Sequence, residues 1–203
     1  GTDKSIKNKI KNKIFISDKI QLHSKKTLEF VKSLNIKACF IFGGHIIKDP
    51  LYKLLPDYKI NLHLGLIPHY KGSVTMFWPL YHLKPNLAGS TYHIINRQVD
   101  CGEIIHQSVP DLEFGDNLHD VANKSIIKII DDLDKVIDRI IYRVKKNIKI
   151  KFDKSLSKKG KTYRFKDWKP EMLTRIYKKY NDRIVDLYLK KKIKSRNIKI
   201  KTL

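Results

Sequence analysis

Residues 36–44 read Ile36-Lys37-Ala38-Cys39-Phe40-Ile41-Phe42-Gly43-Gly44. This largely apolar run, stopped by two glycines, predicts a buried parallel strand over Ile36 to Phe42. Asp49-Pro50 then opens a short helix to about Leu55. Ile60 to Leu64 reads as the next strand and carries Asn61 and His63. Strands alternating with helices argue for an α/β fold with a mainly parallel sheet.

Working outward from this unit, Ser24 is a candidate N-cap for a helix over Lys25 to Leu34, with Leu28 and Val31 on one face. Ile14 to Ile16 suits a short strand, and residues 1–13 read as a frayed or extended lead-in rich in Lys and Asn. On the other side, residues 65–72 form a loop punctuated by Pro68 and Gly72. Thr75 to Leu83 suits a helix that Pro79 kinks or shortens. Gly89 to Ile95 and Glu103 to Val109 read as strands flanking a turn at Asp100. Leu118 to Val144 has apolar residues in the i, i+3, i+4 pattern and predicts one long amphipathic helix. Ile148 to Phe152 is a candidate strand, and Pro170 precedes a helix over Glu171 to Lys190.

With 203 residues, 41% hydrophobic and 10% aromatic, the chain can bury a core. It has no apolar run of ~18 residues, so a membrane span is not expected. The Lys-rich start never becomes an apolar segment, so a signal peptide is not expected either. Two cysteines make no disulfide framework. Cys39 reads as a buried strand residue and Cys101 adjoins Asp100; both suit a reduced, cytoplasmic setting. The net charge of +23 comes from 43 basic and 20 acidic residues. Lysines are spread along the chain together with isoleucines, as a general compositional bias would spread them, and such charge is usually a solvated face. Binding to nucleic acid is therefore expected to be weak and salt-sensitive. Five histidines between His45 and His93 lack closed-site zinc spacing and an acidic cluster, and no metal is expected.

Chemistry concentrates in two blocks. One runs Asn61-Leu62-His63-Leu64-Gly65-Leu66-Ile67-Pro68, then Tyr70-Lys71-Gly72. The other runs Gly89-Ser90-Thr91-Tyr92-His93, then Val99-Asp100-Cys101-Gly102. Asn61 and His63 are two apart on a strand and so project to one face. An amide, an imidazole and a carboxylate suit acyl transfer to an amine: the amide hydrogen-bonds a developing oxyanion, the imidazole stabilises charge or carries a proton, and the carboxylate holds the imidazole.

In these two blocks, from about Phe30 to Gln107, the chain resembles the folate-dependent formyltransferases. That family includes methionyl-tRNA formyltransferase, glycinamide ribonucleotide transformylase and the sugar N-formyltransferases. The resemblance implies a Rossmann-like catalytic domain over residues 1–145, followed by a basic extension over 146–203. About half the family's usual lead-in precedes the strand at 36–42, as in a fragment or a naturally shortened member. The resemblance also implies catalytic roles for Asn61, His63 and Asp100, with His93 as support, and 10-formyltetrahydrofolate as formyl donor. By position the donor would lie against Gly44, His45, Ile46 and Ile47 and against the backbone of Arg97, Gln98 and Val99. Gly65 departs from the serine common there in relatives. The acceptor expected is a small primary amine, such as a nucleotide-linked amino sugar. The alternatives are methionyl-tRNA as acceptor, or a non-catalytic, polyanion-binding remnant of the fold.

Overall fold

The computed structural model of the chain describes residues 14, 16–151, 153 and 155–203. Its central sheet has the order β1-β2-β4-β5, with β1 at Ala38–Phe42, β2 at Tyr58–His63, β4 at Ser90–Ile94 and β5 at Ile104–Ser108. β1 and β2 are parallel, with Ile41 opposite Asn61. β4 runs against both neighbours, so three of the four strands share a direction. The β4–β5 connection is too short for a crossover, which forces the reversal. A second sheet pairs β3 (Tyr70–Gly72) in parallel with β6 (Lys161–Tyr163). The architecture is α/β, as expected.

Helices α1 (Lys19–Leu22) and α2 (Lys25–Ser33) precede β1, and Ser24 caps α2 by accepting from the Thr27 N–H. α3 (Leu51–Leu54) links β1 to β2. α4 is only Trp78–Tyr81, because Pro79 lies in its first turn and a 3₁₀ turn follows at Pro85–Leu87. β2, β4 and β5 bury Ile60, Ile94 and Ile105 against Ile129, Val136 and Ile140. A second core joins Tyr70, Phe77, Trp78 and Leu80 to Tyr163, Ile176, Ile184 and Val185, so residues beyond 146 share a core with the central segment.

Several sequence expectations need correction. The strand predicted over Ile36 to Phe42 is shorter and is not buried: Phe40 is 42% and Phe42 65% exposed. Among the described residues β1 is a sheet edge, and Cys39 on it is half-buried. Burial pushes the Cys39 thiol up to about 11. The loop over 65–72 contains β3, which exists only because residues 161–163 pair with it. The long helix is two, α5 (Leu118–Asp131) and α6 (Leu133–Lys145). At the break Asp132 turns back to β5, where its carboxylate accepts from Ser108 Oγ at 2.6 Å and lies 2.9 Å from His106 Nε2.

The helix over Glu171 to Lys190 is likewise interrupted. α7 (Ser155–Lys158) and β6 are followed by α8 (Met172–Thr174), a π turn at Arg175–Lys179 and α9 (Ile184–Leu189). Asn181 and Asp182 adopt left-handed backbone at φ +47° and +49°. That turn lets Asp182 Oδ1 accept from the Leu118 N–H at 3.0 Å and so cap α5. Finally, no strand forms at Ile14 and Ile16 or at Ile148 to Lys151. Glu103 takes the Lys151 N–H at 2.7 Å, which uses the donor a ladder would need. Residues 1–13, Phe15 and Phe152 lie outside the described residues. No helix among the described residues is long and apolar enough to cross a membrane.

Candidate active site

Asn61, His63 and Asp100 meet at one edge of the central sheet. β2 delivers Asn61 and His63, and the β4–β5 connection delivers Asp100. Asp100 has φ +50°, a left-handed conformation that Asp tolerates better than most residues. This aims its carboxylate between two imidazoles. Oδ2 lies 3.4 Å from His63 Nδ1 and Oδ1 lies 3.4 Å from His93 Nε2. The Gly72 N–H donates to Oδ2 at 2.7 Å and fixes its orientation.

The two rings are locked from behind. His63 Nε2–H donates to the Tyr70 carbonyl at 2.9 Å, and His93 Nδ1–H donates to the Ile94 carbonyl at 3.0 Å. Carbonyls only accept, so these contacts set both tautomers. Each ring then turns its other nitrogen, His63 Nδ1 and His93 Nε2, towards Asp100. Asn61 Nδ2 lies 3.2 Å from His93 Nε2 and donates to it. The other amide N–H of Asn61 has no protein partner among the described residues.

Burial lowers the His63 pKa below the usual histidine range, outweighing the attraction of Asp100. Burial would raise Asp100. The contacts with His93 and His63 and the hydrogen bond from the Gly72 N–H together overcome that and hold the carboxyl below its usual range. At neutral pH His63 and Asp100 are therefore both deprotonated, a pair suited to accept a proton.

The loop between β2 and β3 is held by a bridging threonine. Thr91 Oγ accepts from the Ile67 N–H at 3.2 Å and donates to the Gly65 carbonyl at 2.8 Å. Gly65 packs so closely that a Cβ there would lie 2.4 Å from His63 Nε2.

A cavity of about 1030 Å³ opens beside Asp100. Gly44, His45, Ile46 and Ile47 line it, as do Arg97, Gln98 and Val99, so every residue expected at the donor site borders the same space as Asn61, His63 and Asp100. Ile46 is 69% exposed and supplies an uncovered apolar wall. The Arg97 side chain does not project freely. It contacts both Asp49 carboxylate oxygens, at 3.0 and 3.2 Å, and lies 4.8 Å above the Tyr52 ring, tying two loops together. Asn96 braces the turn by accepting from the Gln98 N–H and donating to the Cys101 carbonyl.

Sequence reasoning missed Asp49, Tyr52, Leu118 and His119 on this wall and left His93 as a supporting or merely structural residue. Asn96 carried a weak signal as an Asx-turn residue. Tyr52 and Leu118 carried none, because only the tertiary fold brings them to the cavity.

A family model described as formyl transferase matches residues 1–128. The methionyl-tRNA formyltransferase of Flavobacterium psychrophilum is 21% identical over 133 residues, 66% of this chain and 42% of that protein. That of Thermodesulfovibrio yellowstonii is 29% identical over 116 residues, 55% of this chain and 37% of that protein. The chain thus spans less than half the length of these curated relatives. Among solved structures, the formyltransferase PseJ from Anoxybacillus kamchatkensis, in complex with UDP-4,6-dideoxy-4-formamido-L-AltNAc and tetrahydrofolate, aligns with a TM-score of 0.56 at 21% identity. That alignment covers 88% of this chain and 84% of PseJ. A sugar N-formyltransferase from a Shewanella species aligns with a TM-score of 0.57 at 24% identity, covering 72% of this chain and 55% of that one. At these identities the likeness speaks for the fold.

Proposed function

Because the chain belongs to the formyl transferase family, we propose that it moves a formyl group from 10-formyltetrahydrofolate to a primary amine on a small molecule, in particular a nucleotide-linked amino sugar. The observation that carries this reading is Asp100 held between His63 and His93, with Asn61 beside them, on the wall of the large cavity.

The residues present fit the donor. The cavity combines an exposed apolar side chain, Ile46, with polar backbone at residues 97–99, the mixture that small-molecule sites show. When bound, the donor supplies an electrophilic formyl carbon and a nitrogen leaving group. Attack by the amine forms a C–N bond and places negative charge on the formyl oxygen. The free N–H of Asn61 is suited to hold that charge, a contact typically worth on the order of 3 kcal/mol. The amine must also lose a proton. Asp100, with His63 Nδ1 and His93 Nε2 beside it, takes that proton through water and passes it to the departing nitrogen. His63 serves here by positioning Asp100 and sharing its proton, since its own N–H is spent on Tyr70.

The small-molecule acceptor draws support from the likeness to PseJ, whose structure holds a nucleotide-linked formamido sugar. The reading with methionyl-tRNA as acceptor is favoured by the curated relatives and the net charge of +23. Calorimetric titration with 5-formyltetrahydrofolate tests the donor site, and turnover of 10-formyltetrahydrofolate against a panel of amines, including nucleotide-linked amino sugars and charged tRNA, tests the acceptor. A folded sample that binds no reduced folate would leave the polyanion-binding remnant as the better reading.

A further inference from the structure

Gln107 is buried on β5 and does not border the large cavity, yet both ends of its amide are engaged. Nε2 donates to the Ile67 carbonyl at 2.6 Å and reaches Thr91 Oγ at 3.5 Å. Oε1 accepts from the Lys201 N–H at 3.0 Å. That last contact belongs to a strap. β5 ends the sheet order among the described residues, and an edge strand leaves backbone groups unpaired. Residues 201–203 run along it: the Gln107 N–H donates to the Lys201 carbonyl at 2.7 Å, Lys201 Nζ donates to the Ile104 carbonyl, and the Leu203 N–H donates to His106 Nδ1 at 3.2 Å.

On the other side Gln107 grips the loop beneath His63. The Ile67 peptide is held at both ends, its N–H by Thr91 Oγ and its carbonyl by Gln107. Ile67 is buried, so a carbonyl released by Gln107 has no ready replacement donor. The neighbours of Ile67 are the groups that lie against the His63 ring. Gly65 packs so tightly that it has no room for a Cβ beside Nε2. The Leu66 carbonyl accepts from the Tyr70 N–H at 3.0 Å, and the Tyr70 carbonyl accepts from His63 Nε2. A shift at Ile67 is therefore felt on both sides of that nitrogen.

We propose that Gln107 is a positioning residue for His63. Held by the strap at Lys201, it fixes the Ile67 peptide and, through the loop, the carbonyl that selects the His63 tautomer. Its effect on turnover rests on the formyl-transfer reading. Its effect on the imidazole does not.

The test compares Gln107→Leu and Lys201→Pro in the full chain. The first removes both ends of the bridge. The second removes only the N–H that Gln107 accepts, at an exposed residue, and carries the test alone if circular dichroism shows that Gln107→Leu does not fold. Nitrogen NMR of the labelled imidazoles reads the tautomer. Wild-type His63 is expected to carry its proton on Nε2 alone, and both variants to show a mixture with Nδ1–H. In each, kcat should fall about tenfold, as misplacement of a site group does. KM for 10-formyltetrahydrofolate should change by less than about twofold, because Gln107 touches neither donor wall. Tyr58→Phe is the stability control. It deletes the hydrogen bond to the Ile148 carbonyl, far along β2 from the loop, and should leave tautomer and kcat as in wild type. An unshifted His63 in either folded variant overturns the proposal. So does a loss of kcat and a tautomer change that Tyr58→Phe reproduces, since stability alone would then account for both. Absence of turnover in the wild type sinks the formyl-transfer reading, while a tautomer shift in the same samples still upholds the grip of Gln107 on His63.

Discussion

The Tyr70 carbonyl accepts a hydrogen bond from His63 Nε2 at 2.9 Å, and that bond decides which nitrogen of His63 faces Asp100. It makes the imidazole an acceptor on its Asp100 side. His93 is fixed in the same sense by the Ile94 carbonyl. The carboxylate is thus flanked by two imidazoles, and the Gly72 N–H donates to it.

Replacing Asp100 by Asn is expected to reduce kcat/KM by at least about 100-fold, since the main proton acceptor is lost. The fold should survive, because the Asn oxygen still accepts from the Gly72 N–H. Steady-state kinetics with the thermal melt as control decide the matter. Near wild-type turnover would rule out the role given to the trio. Asn61→Ala should cost about 10²- to 10³-fold in kcat with little change in folate affinity.

Gly65→Ala should destabilise the protein by about 1–3 kcal/mol and reduce turnover as well. The new Cβ would lie 2.4 Å from His63 Nε2 and 2.6 Å from the Tyr70 carbonyl oxygen, so the bond joining them must yield. A urea midpoint unchanged from wild type would contradict this packing.

Acid should weaken the protein in two stages. His63 has a folded pKa below 6.5, so the unfolded state binds the proton first and stability falls as pH drops below about 6.5 towards the lowered value. Asp100 is depressed from 3.8, so its contribution is present above that pH and is lost as pH falls through the lower folded value. His63→Gln should flatten part of the decline between pH 7 and pH 5 in urea melts. An identical slope in variant and wild type would count against a buried neutral His63. Activity should follow the same sign, with kcat/KM falling on the acid side as His63 and Asp100 take up protons before substrate arrives.

Asp132→Ala should cost about 2–3 kcal/mol, because the buried Ser108 Oγ and His106 Nε2 lose a charged, partly buried acceptor. Burial opposes ionisation of Asp132. Hydrogen bonds from Ser108, His106 and Lys135 overcome it and hold the carboxyl well below its usual range. Loss of stability within 0.5 kcal/mol of zero in chemical denaturation would show that the helix break is not pinned there.

Much was legible in short windows. The strand ending at Phe42, the cap at Ser24, the short helix after Asp49-Pro50 and the strands around Asp100 depend on neighbouring residues, and each formed near its expected place. The two blocks also contained the side chains that meet at the site, because a strand alternates its faces and so places Asn61 with His63. Tertiary structure decided the rest. It made β3 a strand by bringing Lys161–Tyr163 to it, broke the long helix where Asp132 finds β5, and left Phe40 and Phe42 exposed on what is, among the described residues, a sheet edge. It also turned His93 towards Asp100. Local propensity and side-chain chemistry are carried by adjacent residues. Pairings between residues as far apart as Gly72 and Asp100, or Tyr70 and Lys161, are selected only when the whole core closes, and no window of sequence contains them.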